Sequence, residues 1–205
     1  MVKFKITKIK IKPKEKLIKY LIENKVPKST MQVSGAIILD YKNTYNLVNE
    51  LQSQGIIFKE HLGNTNLISI NLFPNQEIFN VEKKRTEEFL LKNPKLKVLR
   101  NYIEELNYPF LIALIFGSHA KGINSLNSDI DLCIICDNTQ KLNVLCDKLR
   151  LLALPLEIHE FSTEQFVSMI EKKQNNLGHE IINKNIILYG TENYYNIIAK
   201  WMKKE

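Results

Sequence analysis

The stretch Gly117–Leu132 reads GSHAKGINSLNSDIDL. The apolar run FLIALIF leads into it, and CIICD follows it at once. FLIALIF predicts a fully buried strand that stops at Gly117, and DIDLCIICD predicts a second central strand. That second strand opens on two carboxylates, Asp129 and Asp131. Successive side chains of a strand point to opposite faces. Asp129 and Asp131 therefore share one face, and Ile130, Leu132 and Ile134 share the other, where helices can cover them. Two like charges this close raise each other's pKa, and a divalent cation removes the conflict. Carboxylate oxygens suit Mg²⁺, which takes one or two of them together with phosphates.

Upstream, Gly117 and Ser118 stand where a strand turns into a short helix. Such a turn leaves backbone N–H groups free, and these hold phosphate. Gly117 lets a ligand approach the backbone, Ser118 adds a hydroxyl, and Lys121 brings positive charge to the same point. A third carboxylate is expected if ions are to clamp a transferring phosphoryl group. ALPLEIHEFS predicts the third strand and offers Glu157 and Glu160. With Leu156 and Ile158 on the core face, Glu157 falls with the two aspartates and Glu160 on the opposite parity, so Glu157 is the candidate. His159 shares the parity of Glu157 and is weighed as a group lining the cleft. His119 is read as a surface histidine. Cys133 and Cys136 form a CxxC whose parity sends the thiols to opposite faces, which argues against zinc.

Outward from this core, LKVLRNYIEELN, NTQKLNVLCDKLRLL, STEQFVSMIEKKQ and LGHEIINKNII read as helices, the last ending in LYG. Helices alternating with strands from Lys95 onward predict an α/β domain over residues 95–190. Residues 191–205, with Trp201 in AKWMKKE, predict a helical tail. Residues 79–94 continue a polar helical rhythm and read as a connecting helix closed by Pro94.

The first 78 residues follow another pattern. VKFKITKIKIK alternates apolar residues with lysine, as an edge strand does. Leu17, Ile18, Leu21 and Ile22 mark a first helix, Ser29 or Thr30 caps a short second one, and Asp40 caps a third, YKNTYNLVNELQSQ, with Leu47, Val48 and Leu51 as its inner stripe. Gly55 is placed to end it. IIFKE and NLISINL then form a hairpin around Gly63-Asn64.

Composition limits the function classes. Residues 1–80 hold 12 lysines against 6 acids, whereas residues 81–205 are nearly balanced, with 17 Lys and Arg against 16 acids. The positive excess in the first part favours a polyanionic partner, nucleic acid first. No apolar run approaches the roughly 20 residues of a membrane span. MVKFKITKIKIKPKEK lacks the apolar segment of a signal peptide, and three cysteines, an odd number, read as reduced core thiols. A cytoplasmic location is expected.

Two resemblances follow from these motifs. Gly117-Ser118, ten intervening residues and Asp129-Ile130-Asp131 resemble the signature of the DNA-polymerase-β-like nucleotidyltransferases, closest to the minimal (MNT) type, over about residues 95–190. The resemblance implies an α+β chain whose C-terminal domain has a mixed sheet. In it, Gly117, Ser118 and Lys121 contact the nucleoside triphosphate, ATP or another, and Asp129, Asp131 and Glu157 bind Mg²⁺, with Glu157 as general base. Lys121 stands where many members carry arginine, and Glu157 where many carry aspartate. The stretch YKNTYNLVNELQSQGIIFKEHLGNTNLISINL resembles the recognition helix and wing of a winged helix-turn-helix. In that family the start of the third helix enters the major groove, which places Lys42, Asn43, Tyr45 and Asn46 near double-stranded DNA, with Lys59, His61 and Asn64 on the wing.

Together the resemblances imply transfer of a nucleoside monophosphate, AMP from ATP, to a protein acceptor. Many small members act as antitoxins that adenylylate a HEPN-type toxin, and a winged helix would add autoregulation of the operon. A homodimer is compatible with either domain. The alternative is a DNA-binding transcription regulator whose nucleotidyltransferase-like domain is an inactive module for a ligand or partner. A third reading is an enzyme modifying a small molecule such as an aminoglycoside.

Overall fold

Pro13 begins the first described helix, since its fixed φ suits the first helical position and its missing N–H would have no partner there. The structure is a computed structural model that describes residues 12–202 apart from 64, 126, 127 and 173. Residues 1–11, which carry most of the expected edge strand, and Asn64 of the expected wing lie outside the described residues. The chain divides into two compact units, Met1–Asn71 and Leu72–Glu205.

In the first unit, α1 (Pro13–Glu23) buries Leu17, Ile18, Leu21 and Ile22. A two-residue strand, β1 (Lys28–Ser29), leads into α2 (Thr30–Ile37). Ser29 caps α2: its hydroxyl accepts the N–H of Gln32, and the Gln32 side chain accepts the N–H of Ser29, a reciprocal capping box. Asp40 caps α3 (Tyr41–Ser53) by accepting the N–H of Asn43 at 2.9 Å. That bond holds the Asp40 carboxyl below the usual carboxylate range. Val48 and Leu51 line the inner face of α3 together with Thr44, while Leu47 is only half-buried. Gly55 follows α3 with φ +68°, a left-handed conformation that glycine adopts without strain. Strands β2 (Ile57–Leu62) and β3 (Thr65–Ile70) pair antiparallel. β1, unexpected from the sequence, pairs with the other edge of β3, so the sheet order is β1-β3-β2.

The second unit opens with α4 (Gln76–Lys92), a 3-10 turn at Pro94–Leu96 and α5 (Lys97–Glu105). Then come β4 (Ile112–Ile115), α6 (Gly117–Lys121), β5 (Ile130–Ile135), α7 (Thr139–Arg150), β6 (Leu156–Phe161), α8 (Thr163–Ile170), α9 (Leu177–Asn183), β7 (Ile186–Tyr189) and α10 (Thr191–Met202). The sheet is mixed, in the order β6-β5-β4-β7. β5 and β6 are parallel and joined through α7, whereas β4 is antiparallel to both β5 and β7. One face carries Ala113, Ile115, Leu132 and Ile134 into a core with Leu99 and Ile103 of α5 and Leu145 and Leu149 of α7. No described helix is long and apolar enough to cross a membrane.

The segment Ile186–Tyr189 departs from the sequence reading. LGHEIINKNII reads as one helix, but α9 stops at Asn183 and Ile186–Tyr189 is a strand against β4. Asn185 separates the two. Its side-chain amide donates to the carbonyl of Ile181, 2.7 Å away, and to the Tyr194 hydroxyl at 2.8 Å, closing the helix where the β-branched pair Ile186-Ile187 begins.

Helix α4 is anchored by buried polar chemistry. Glu82 and Arg85, 1% and 4% exposed, form an ion pair. The Tyr195 hydroxyl donates to Glu82 at 2.7 Å, Arg85 donates to the carbonyl of Asn185 at 3.0 Å, and Thr86 donates to that of Ile187 at 2.7 Å. α4 is thereby tied to β7 and α10. Burial and the Glu82 carboxylate push the Tyr195 hydroxyl well above its ordinary pKa, so it stays a donor. Removing one member of a buried pair strands the other charge at about 3–5 kcal/mol. Glu82→Ala is therefore expected to destabilise the protein by about that amount in urea unfolding, and Tyr195→Phe by about 1.5–3 kcal/mol, the range for a hydrogen bond to a charged group.

Candidate functional site

The site begins where β4 ends. Phe116 is extended, and its N–H donates to the carbonyl of Asp131, 3.1 Å away. Gly117 then turns the chain with φ +64°. A Cβ built on Gly117 would lie 1.9 Å from Oδ2 of Asp131. The Asp131 carboxylate thus occupies the space that any other residue at 117 would fill with its side chain. α6 starts at this turn without a side-chain cap, so the first N–H groups lack intrahelical acceptors. Ser118 is half-buried beside them.

β5 and β6 bring the acids together. Their parallel register pairs Asp131 with Glu157 and Cys133 with His159. Nε2 of His159 lies 3.5 Å from Oε1 of Glu157. One ligand atom each from Asp131, Glu157 and His159 lie within 4.8 Å of one another. The His159 ring also packs against Phe116, with centroids 5.2 Å apart. Asp129 shares the parity but sits one residue ahead of β5, exposed, and outside this trio. Glu160 pairs in register with Ile134 and donates its charge elsewhere: its carboxylate accepts a hydrogen bond from Arg150 of α7 at 2.5 Å.

Lys121 does not lie free over the turn. Its ammonium pairs with Glu180 of α9 at 2.6 Å, and both side chains are about 40% exposed. No sequence signal joins two residues so far apart. His119 places Nε2 3.3 Å from the carbonyl of Ser128, so the two arms of the motif touch. A cavity of about 650 Å³ adjoins them, lined by Lys92, Leu96, His119, Ser128 and Leu154 among others. That volume suits a small organic ligand.

The cysteines stay outside this chemistry. All three are free and buried. Burial pushes the Cys133 and Cys136 thiols up, and that of Cys146 to about 12. Protonated thiols are poor metal ligands and poor nucleophiles.

The candidate nucleic-acid face on α3 is partly engaged with itself. Lys42, Asn43, Tyr45 and Asn46 are exposed. However, the Asn43 amide donates to the Asp40 carboxylate. Lys59 donates to Asn49 at 3.0 Å and lies 5.0 Å from the centre of the Tyr45 ring. His61 is bonded across the hairpin to Asn66. The Lys42 and Asn46 side chains have no recorded partner among the described residues.

Comparison with known proteins bears on the second unit. No curated protein matches this chain. A solved chain described as "Crystal structure of the toxin-antitoxin with AMP-PNP" aligns at 22% identity over 51% of this chain and 85% of its own, with a TM-score of 0.35. That likeness is too weak to bear on fold or activity. Residues 97–194 match the family model described as Polymerase beta, Nucleotidyltransferase. The matched span contains the Gly117 turn, the strand of Asp131 and the strand of Glu157, so the second unit carries a polymerase beta-type nucleotidyltransferase domain.

Proposed function

We propose that the protein is a metal-dependent nucleotidyltransferase that moves AMP from ATP onto a protein acceptor. The observation that carries this reading is the pairing of Asp131 with Glu157 on one sheet face, with the Asp131 carboxylate lodged against the Gly117 turn. The family match over residues 97–194 supports it.

The donor set fits a divalent cation: two carboxylates held side by side, neither with a lysine or arginine partner among the described residues. Asp129, Asp131 and Glu157 would hold Mg²⁺, and Gly117, Ser118 and Lys121 the triphosphate. When bound, the ion supplies charge neutralisation at the phosphates. The chain's own groups do the rest. The open N–H groups at the Gly117–Ser118 turn orient the triphosphate. Lys121 exchanges Glu180 for phosphate, a change that costs little because an exposed ion pair contributes about 0–1 kcal/mol. Glu157, whose side chain is 59% exposed, meets an acceptor arriving from solvent and takes the proton of its hydroxyl. The acceptor oxygen bonds to the α-phosphorus as the bond to the β-phosphate bridge breaks, and pyrophosphate leaves.

We read the first unit as a winged helix-turn-helix that binds double-stranded DNA, on its order of helices and hairpin and its lysine excess. By the resemblance to minimal nucleotidyltransferases, the acceptor is a HEPN-type toxin and the DNA an operator.

Labelled AMP incorporation into co-purified protein tests the transfer. Glu157→Gln keeps size and loses the base, so its rate should fall by about 10²–10⁴-fold while MgATP binding persists. Glu160→Gln should change the rate little. The reverse pattern would refute the assignment of Glu157. A wild type that labels nothing with any nucleoside triphosphate would favour the inactive regulator. Gly117→Ala should abolish MgATP binding, because a Cβ there displaces the Asp131 carboxylate. For the first unit, mobility shifts at rising salt should show affinity falling steeply as counterions are released. Lys42→Ala should weaken all sequences alike and flatten that salt slope by about one. Absence of any shift at low salt would leave the unit as a protein-docking module.

A further inference from the structure

We infer that His159 is a direct ligand of the ion held by Asp131 and Glu157, and that this nitrogen makes the site select Mn²⁺ over Mg²⁺. The inference rests on the reading that these carboxylates bind a divalent cation. His159 follows Glu157 by two residues on β6, on the same face, and stands opposite Cys133 just beyond Asp131. Its ring is braced by Phe116 at 5.2 Å, the buried residue that precedes the Gly117 turn.

The spacing separates a ligand from a hydrogen-bond partner. Nε2 of His159 is 3.5 Å from Oε1 of Glu157. A charge-assisted N–H···O⁻ bond closes to about 2.7–2.9 Å. Two donors bound to one ion at about 2.1 Å sit roughly 3.0 Å apart when adjacent and about 4.2 Å apart when opposite. The observed distance lies nearer the adjacent pair, so ligation needs Nε2 and Oε1 only to close slightly around the ion. The largest separation in the trio, within 4.8 Å, needs only a small inward movement to meet those limits.

The donor chemistry then decides the metal. Mg²⁺ demands oxygen ligands in near-ideal octahedral geometry and gives up water reluctantly. Mn²⁺ shares the carboxylate preference of Mg²⁺, but as a transition ion it accepts an imidazole nitrogen more readily than Mg²⁺ does. Mn²⁺ combines carboxylate and phosphate oxygens with one imidazole, so it can serve phosphoryl chemistry and use His159.

Electron paramagnetic resonance with Mn²⁺ as the probe tests this without any turnover. On the full chain, bound Mn²⁺ should show the electron-spin-echo modulation of a directly coordinated ¹⁴N nucleus. His159→Ala should abolish that modulation. It should also weaken Mn²⁺ binding by about 10-fold or more, while Mg²⁺, measured by competition, changes by less than about 3-fold. If wild type binds Mn²⁺ with no ¹⁴N coupling and His159→Ala retains the same Mn²⁺-to-Mg²⁺ preference, His159 is not a ligand and the carboxylate site still stands. If wild type binds neither ion, with or without a non-hydrolysable ATP analogue, the carboxylate site itself fails, and the inference with it. Should His159→Ala not fold, the wild-type spectrum decides alone.

Discussion

The fit of one carboxylate into the side-chain space missing from one glycine is the constraint on which the second unit's site depends. Gly117 provides two things at once. Its φ of +64° turns the chain off β4 in a region that costs an L-residue roughly 1–2 kcal/mol. Its bare Cα lets Oδ2 of Asp131 sit where a Cβ would be. Any side chain at 117 must therefore either push out the carboxylate or move the turn. The bond from Phe116 N–H to the Asp131 carbonyl fixes the two strands at this level, so neither residue can shift alone. The turn and a charged oxygen are thus held against each other by the sheet itself, not by loop side chains.

Register carries that arrangement sideways. A parallel pair needs a crossover, and α7 supplies it between β5 and β6. Once Asp131 stands level with Glu157, alternation sends His159 to the same face and Glu160 to the other, where Arg150 takes it up. A slip of one residue would exchange the two glutamates and turn Leu156 and Ile158 out of the core they help close. The packing of those apolar residues is therefore also what aims the acid of β6.

This is why the shared face of Asp131 and Glu157 was legible from residues alone, while the exclusion of Asp129 from their group was not. Strand parity depends only on alternation, and the runs FLIALIF, DIDLCIICD and ALPLEIHEFS are apolar enough to fix which face is buried. In the first unit the caps at Ser29 and Asp40 are local chemistry, readable for the same reason. What escaped is non-local. β1 exists only because β3 lies beside it. Ile186–Tyr189 reads as helix until β4 supplies a partner strand. The pairing of Lys121 with Glu180 joins residues far apart in the chain. His159 was visible as a residue lining the cleft, but its distance to Glu157 was not. Lys59 and Asn43 looked free to meet DNA, whereas one lies over the Tyr45 ring and the other completes the cap of α3.

The charges of the second unit separate into two kinds by their partners. Glu82 is buried and answered by Arg85 and Tyr195, every contact directed at holding α4 to the sheet. Glu160 is answered by Arg150, and Glu180 by Lys121. These acids are satisfied, and their positions are explained by the fold. Asp131 and Glu157 stand level on adjacent strands, and among the described residues no lysine or arginine pairs with either. Packing alone does not account for Asp131, a half-buried carboxylate set against the Gly117 turn. Lys121, the cation expected at the turn, is drawn to Glu180. Among the described residues, the one side chain able to carry positive charge that is recorded beside this pair is His159, 3.5 Å from Glu157, so the two carboxylates are left without the lysine or arginine that Glu82, Glu160 and Glu180 each have.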